Sequence, residues 1–249
     1  MTLGLALSVL VGITLGLLGG GGSILTLPIL LYAMHFEPHT AISMSSFVVG
    51  TTSGIGAVQH ARAGNVRWQT GLWFSAGGMA GAFSGGKIGV LIPGPILLLL
   101  FGALMFVTAF AMLRGRRTPQ PRNEGARHVG FILVEGFLVG GFTGMVGAGG
   151  GFLVVPALVL LGGIPMKEAV GTSLLVISLK SFAGLGGYLG QVDVNWQATL
   201  AVTAAAVMGS FAGTRLMRVI SPDRLRTGFA WFVMAMAIYM LGRELPGLV

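Results

Sequence analysis

The chain has 249 residues, 54% of them hydrophobic and only 9% charged, with a formal charge of +8 and no cysteine. A soluble domain carries about 25% charged residues, so too little charge is present here to coat a water-facing surface. Disulfides and thiolate metal sites are excluded, and the basic excess does not point to nucleic acid, because the cations sit in short loops between apolar runs, where membrane topology sorts them.

Polar breaks divide the chain into apolar segments at 3–34, 41–60, 69–91, 95–113, 129–163, 169–189, 197–217 and 225–242. Runs such as Leu97 to Leu113 approach the roughly 20 residues that span hydrocarbon, so the predicted fold is an all-α integral membrane protein. The first segment lacks a basic start and its sequence recurs later, which argues against a cleavable signal peptide. At 32 residues it would be about 48 Å long as one helix, against a hydrocarbon core of about 30 Å. The run Gly19 to Gly22 and the donor-less Pro28 place a break near Gly19–Ser23. Broken backbone at membrane depth is tolerated only where protein buries it or a wet cavity touches it. The N–H groups opening the new half-helix near Ser23 carry partial positive charge and suit an anion. The competing reading, that glycines only permit close packing, is preferred for Gly12-x-x-x-Gly16 and Gly136-x-x-x-Gly140. No strand precedes the glycines and no Lys-Ser/Thr follows, so they do not form a nucleotide loop.

The second segment carries Ser43, Ser45 and Ser46, whose hydroxyls suit either oxyanion oxygens or helix contacts. Trp68 opens the third segment as an interfacial belt residue and Lys87 ends it as an anchor. Arg114 to His128, with Arg114, Arg116, Arg117, Arg122 and Arg127, is a solvated linker. In the fifth segment Glu135 is a candidate for proton coupling or for an interfacial pair.

The halves on either side of that linker are copies. Gly16-Leu-Leu-Gly19-Gly-Gly21-Gly22-Ser23 aligns with Gly144-Met-Val-Gly147-Ala-Gly149-Gly150-Gly151 at an offset of 144 − 16 = 128. The same offset pairs Pro28 with Pro156, Ser45 with Ser173, and Val66-Arg-Trp68-Gln69 with Val194-Asn-Trp196-Gln197. The expected organisation is a first transmembrane repeat at 1–113, a basic cytoplasmic linker at 114–128 and a second repeat at 129–249. Secondary transporters recurrently use such repeats and place substrate at the repeat interface.

In these motifs the sequence resembles the sulfite exporter TauE/SafE family, the TSUP transporters. The resemblance rests on Gly-x-x-Gly-x-Gly-Gly followed by Pro, the Ala-x-x-x-Ser after it and the Val-x-Trp-Gln, in both halves. It implies a cytoplasmic (inner) membrane carrier of small anions such as sulfite, organosulfonates or related sulfur and carboxylate compounds. It also implies site-forming roles for Gly19, Gly21, Gly22, Gly147, Gly149 and Gly150. Ser23 is replaced by Gly151, so the two copies need not bind alike.

Charge sorts two topologies. If each glycine segment crosses once, the repeats are parallel and cations divide 8 to 6 between the sides. If each is a re-entrant hairpin, the repeats are inverted and cations divide 12 to 2, which the positive-inside rule prefers. That places the linker in the cytoplasm and both termini outside. Lys180 lies mid-segment, and its repeat mate is Thr52, so duplication did not supply this charge. An ammonium at depth is costly and marks function by default, although a snorkelling Lys is the alternative. The expected substrate-binding set is Gly19, Gly21, Gly22, Ser23, Ser43, Ser45, Gly147, Gly149, Gly150, Gly151, Thr172, Ser173 and Lys180. Partners are then a small anion and membrane lipid, with proton coupling and a homodimer as further candidates. No catalytic pair occurs, and His35, His39 and His60 lack metal-ligand spacing, so neither an enzyme nor a metal or other cofactor is expected. An anion channel on the same scaffold is the alternative function.

Overall fold

The computed structural model describes residues 2–18, 21–114, 129–146, 150–161, 163–217 and 219–244, and these are helical without any strand. The predicted linker, 115–128, lies outside the described residues. Among the described residues ten α-helices follow one another: α1 (Thr2–Leu18), α2 (Gly21–Pro28), α3 (Pro38–Arg62), α4 (Trp68–Gly89), α5 (Gly94–Arg114), α6 (Val129–Val146), α7 (Gly151–Pro156), α8 (Met166–Tyr188), α9 (Trp196–Met217) and α10 (Pro222–Glu244). Among the described residues four of them, α3, α5, α6 and α8, are long and apolar enough to cross a membrane.

Local sequence explains the helix ends. Pro38 sits in the first turn of α3, where its missing N–H would be unpaired anyway, and Glu37 before it is extended. Pro28 ends α2, and the chain widens into a π-helical turn, Ile29–Ala33, in which Met34 N donates to Ile29 O at 3.0 Å. Pro156 ends α7 and a second π-turn, Ala157–Leu161, follows it. In each case the proline ring pushes away the carbonyl four residues back, and a wider turn re-satisfies the backbone. The starts of α3 and α8, at 38 and 166, are 128 residues apart, as are those of α4 and α9, at 68 and 196.

Glycine contacts fix the direction of each helix. An added Cβ on Gly77, Gly81 or Gly85 of α4 would stand 2.1 Å from the carbonyl oxygen of Leu133, Phe137 or Gly141 of α6. Residue numbers rise together, so α4 and α6 run parallel. Gly136, Gly140 and Gly144 return the contact onto Phe74, Gly78 and Ala82 carbonyls at 2.2–2.3 Å. On the other flank Gly209 and Gly213 of α9 press on Val9 and Ile13 carbonyls of α1, again in parallel. These backbones touch because lipid supplies no hydrophobic drive, and only small residues permit the close approach that dispersion needs. By contrast, α3 and α8 run antiparallel, with Gly50 against Phe182 and Gly54 against Ser178.

One rim of the bundle brings together Gly4 with Met34, Pro38 with Gly94, and Tyr32 with Glu244, which its hydroxyl contacts. Gly4 opens α1 and Met34 closes the first π-turn, so α1 and α2 form an antiparallel hairpin. The opposite rim holds the ends of α1 and α3, where His60 Nε2 lies 3.4 Å from Gly16 O, and the Arg67–Glu168 ion pair. The outer surface is apolar, exposing Val107, Phe131, Leu200, Met208, Trp231 and Ile238, while hydroxyls and Lys180 are buried inside. A lipid solvent favours that arrangement.

Candidate functional site

The turn before α7, α6 and α8 meet at one buried cation. Lys180 is 2% exposed, and its Nζ donates to Thr143 Oγ1 of α6 at 3.0 Å. The Thr143 hydroxyl in turn donates to Val139 O at 2.8 Å and Gly140 O at 3.2 Å. Among the described residues no carboxylate reaches the ammonium. Its stem passes Gly78 of α4, where an added Cβ would lie 3.9 Å from Lys180 Cβ.

Gly150 closes the site from the turn before α7. Its φ is +59°, a left-handed conformation that favours glycine, and an added Cβ would stand 2.1 Å from Thr143 Cγ2 and 2.6 Å from Lys180 Nζ. A cavity of about 10 Å³, the space of one water, is lined by Ser46, Thr143, Gly144, Lys180, Ser181 and Gly184. Ser181 Oγ is buried there with no partner among the described residues. An ammonium, an unused hydroxyl and approachable backbone together offer donors and positive charge, the complement of a small anion.

The ammonium–hydroxyl pair is not repeated in the first half. At the positions 128 residues earlier, Leu15 stands for Thr143 and Thr52 for Lys180, and both are fully buried.

Of the residues expected from sequence, Lys180 and Gly150 are brought together. Gly151 opens α7, and Gly21, Gly22 and Ser23 form the first turn of α2. Gly19, Gly147 and Gly149 lie outside the described residues. Ser43 and Ser45 are buried on α3 with hydroxyls that find no partner among the described residues. Thr172 Oγ1 accepts from Arg67 N at 2.9 Å, and Ser173 Oγ donates to Val170 O at 2.8 Å. Thr172 lies eight residues from Lys180, about 12 Å along the α8 axis. Glu135 is half-buried on α6 and does not line the Lys180 cavity. Thr143 and Ser181 join the site without a motif of their own in the sequence. Ser181 follows the intramembrane Lys directly. Thr143 precedes Gly144 of the glycine motif, so adjacency to each flagged feature was the available signal.

A polytopic helical membrane protein with an apolar skin and a buried cation facing small residues and hydroxyls is one built to handle a polar solute within the bilayer. The sulfite exporter TauE/SafE family model matches residues 4–240, and the chain belongs to that family. It is 39% identical over 247 residues to a probable membrane transporter protein of Xylella fastidiosa (strain Temecula1 / ATCC 700964), covering 96% of this chain and 94% of the relative. It is also 26% identical over 215 residues to the probable membrane transporter protein YdhB of Bacillus subtilis (strain 168), covering 85% and 88%. No solved structure matches the chain. Family and relatives alike make it a multi-pass membrane transporter.

Proposed function

We propose that the chain is a secondary transporter that moves small anions, such as sulfite, organosulfonates or related sulfur and carboxylate compounds, across the cytoplasmic membrane. The observation that carries this reading is Lys180, an ammonium buried midway along α8 against Gly150, with only Thr143 Oγ1 as partner among the described residues. A buried charge without a counter-charge is costly unless a ligand supplies one. The anion is that counter-charge, held between Lys180 and the backbone around Gly150.

The two halves act as inverted repeats in this reading. In support, α1 runs parallel to α9 and α4 to α6, whereas α3 and α8 are antiparallel. α1 starts at the rim of Gly4 and Met34, whereas α6, parallel to α4, starts at the rim of Arg67 and Glu168. The cations Arg62, Arg67, Arg114, Lys167, Arg215 and Arg224 gather toward the rim of the Arg67–Glu168 pair, where α5 ends and α6 begins (the linker rim), against Lys87 and Arg243 at the other, and the positive-inside rule makes the linker rim cytoplasmic. Exchanging the conformations of two inverted halves reopens a central site on the opposite side.

Purified protein in proteoliposomes, loaded in turn with sulfite, sulfoacetate, taurine, acetate and chloride, tests the reading. The expected result is saturable counterflow for at least one sulfur or carboxylate anion. Flux that rises linearly with concentration for every anion, without counterflow, would favour a channel on the same scaffold. No flux for any of them would remove the anion reading.

A further inference from the structure

At the crossing of α3 and α8 the two ends of one helix pair are built differently. Toward the rim of Tyr32 and Glu244, Phe47, Phe182 and Trp196 stack edge to face, with centroids 6.1 Å apart for Phe47–Phe182 and 5.4 Å for Phe47–Trp196. Positions 128 residues away carry Leu175, Gly54 and Trp68, at the linker end of the same crossing. Two rings are thus missing there, and a groove of about 390 Å³ opens, lined by Gly54, Val58, Arg62, Trp68, Leu175 and Ser178. That volume is ligand-sized, since small-molecule pockets run roughly 300–1,000 Å³. Val58 and Trp68 at its edge are 52% and 55% exposed, so the groove faces the surrounding membrane.

Its mouth carries one uncommitted cation. Arg67 nearby is tied to Glu168, whereas exposed Arg62 has no carboxylate partner among the described residues. Trp68 beside it stands at the depth where indoles favour lipid headgroups. We propose that this groove binds an anionic phospholipid from the linker-side leaflet, with one acyl chain along Gly54 and Leu175 and its phosphate on Arg62. Charge complementarity selects this occupant: an apolar slot with a guanidinium at its headgroup end matches a lipid anion. The aromatic stack denies the same site to the opposite leaflet. The proposal is independent of the anion carried.

The test uses the full chain with Trp68 as its only tryptophan (Trp73→Phe, Trp196→Phe and Trp231→Phe), in vesicles mixing plain lipid with bromo-acyl phosphatidylglycerol or bromo-acyl phosphatidylcholine. Bromine quenches an adjacent indole, so the dependence on mole fraction yields relative affinity at this site. We expect a roughly fivefold preference for phosphatidylglycerol, the effect of one basic residue at an anionic headgroup. Arg62→Gln should bring the ratio to one. Leu175→Phe, which copies Phe47 of the other end, should abolish it by filling the slot. Equal quenching by both lipids in the parent, or a preference that survives Arg62→Gln, overturns the proposal. So does a Trp68 quenched by neither lipid, which would mean that a protein neighbour covers the groove.

Discussion

Replacing Lys180 by Met should move stability and anion affinity in opposite directions. The Met side chain keeps the apolar stem that passes Gly78 and removes the ammonium. It orphans nothing, because the Thr143 hydroxyl retains Val139 O and Gly140 O as acceptors. Removing a buried charge that has no counter-charge among the described residues is therefore expected to stabilise the anion-free protein, by about 1–4 kcal/mol on the scale of buried ionic groups replaced by apolar ones. Affinity should fall instead. A monoanion about 4 Å from the ammonium gains about 4 kcal/mol at an effective dielectric of 20 and about 1 kcal/mol in a fully wet cavity. That range is roughly a 5- to 1000-fold loss of apparent affinity. Lys180→Arg keeps the charge and should bind far better than Met, while the tight cavity costs it stability. Thermal unfolding in detergent and anion titration at one fixed ionic strength measure the two effects on the same samples. Thr52→Lys should not rescue the Met variant, since Leu15 stands where Thr143 would be needed. Unchanged affinity in the Met variant would refute the reasoning and leave the hairpin backbone to neutralise the anion alone.

Three further outcomes follow from the same geometry. Single cysteines in this cysteine-free chain, at Ala63 and at Gly242, should react with impermeant reagents from opposite sides of the membrane, because one closes α3 at the linker rim and the other lies near the end of α10; labelling from the same side would support parallel repeats. Gly150→Ala should cost about 1–2 kcal/mol for the left-handed backbone, plus displacement of Thr143 and Lys180, so transport should fall sharply while membrane insertion is normal; wild-type flux would detach this turn from the site. Gly140→Leu should force α4 and α6 apart, because its Cβ would meet Gly78 O at 2.2 Å, and lower stability by about 3 kcal/mol, whereas Gly242→Leu, with nothing within 4 Å, should be neutral; equal melting temperatures would mean the glycine seam does not hold these helices together.

Composition alone determined that this chain lives in lipid, because 9% charge cannot clothe 249 residues in water. Helix positions were nearly as legible. Segments read at 41–60 and 69–91 became α3 at 38–62 and α4 at 68–89, with proline and tryptophan at their starts extending or fixing the ends. The 32-residue first segment holds α1 and α2, with Gly19 and Gly20 between them outside the described residues. Lys180 announced itself because an ammonium in an apolar run has no local explanation.

What the sequence could not fix was the far end of each contact. Gly12, Gly16, Gly140 and Gly144 look alike along the chain, and only the pairing of α1 with α9 and of α6 with α4 makes them seams between helices. Thr172 and Ser173 share a helix with Lys180, yet Thr172 is spent on Arg67 N and Ser173 on Val170 O, while Thr143, 37 residues away on another helix, receives the ammonium. In lipid every helix is apolar on much of its surface, so hydrophobic periodicity no longer says which face turns inward. Close approach of glycine backbones decides that instead, and it is a property of two helices together rather than of either sequence.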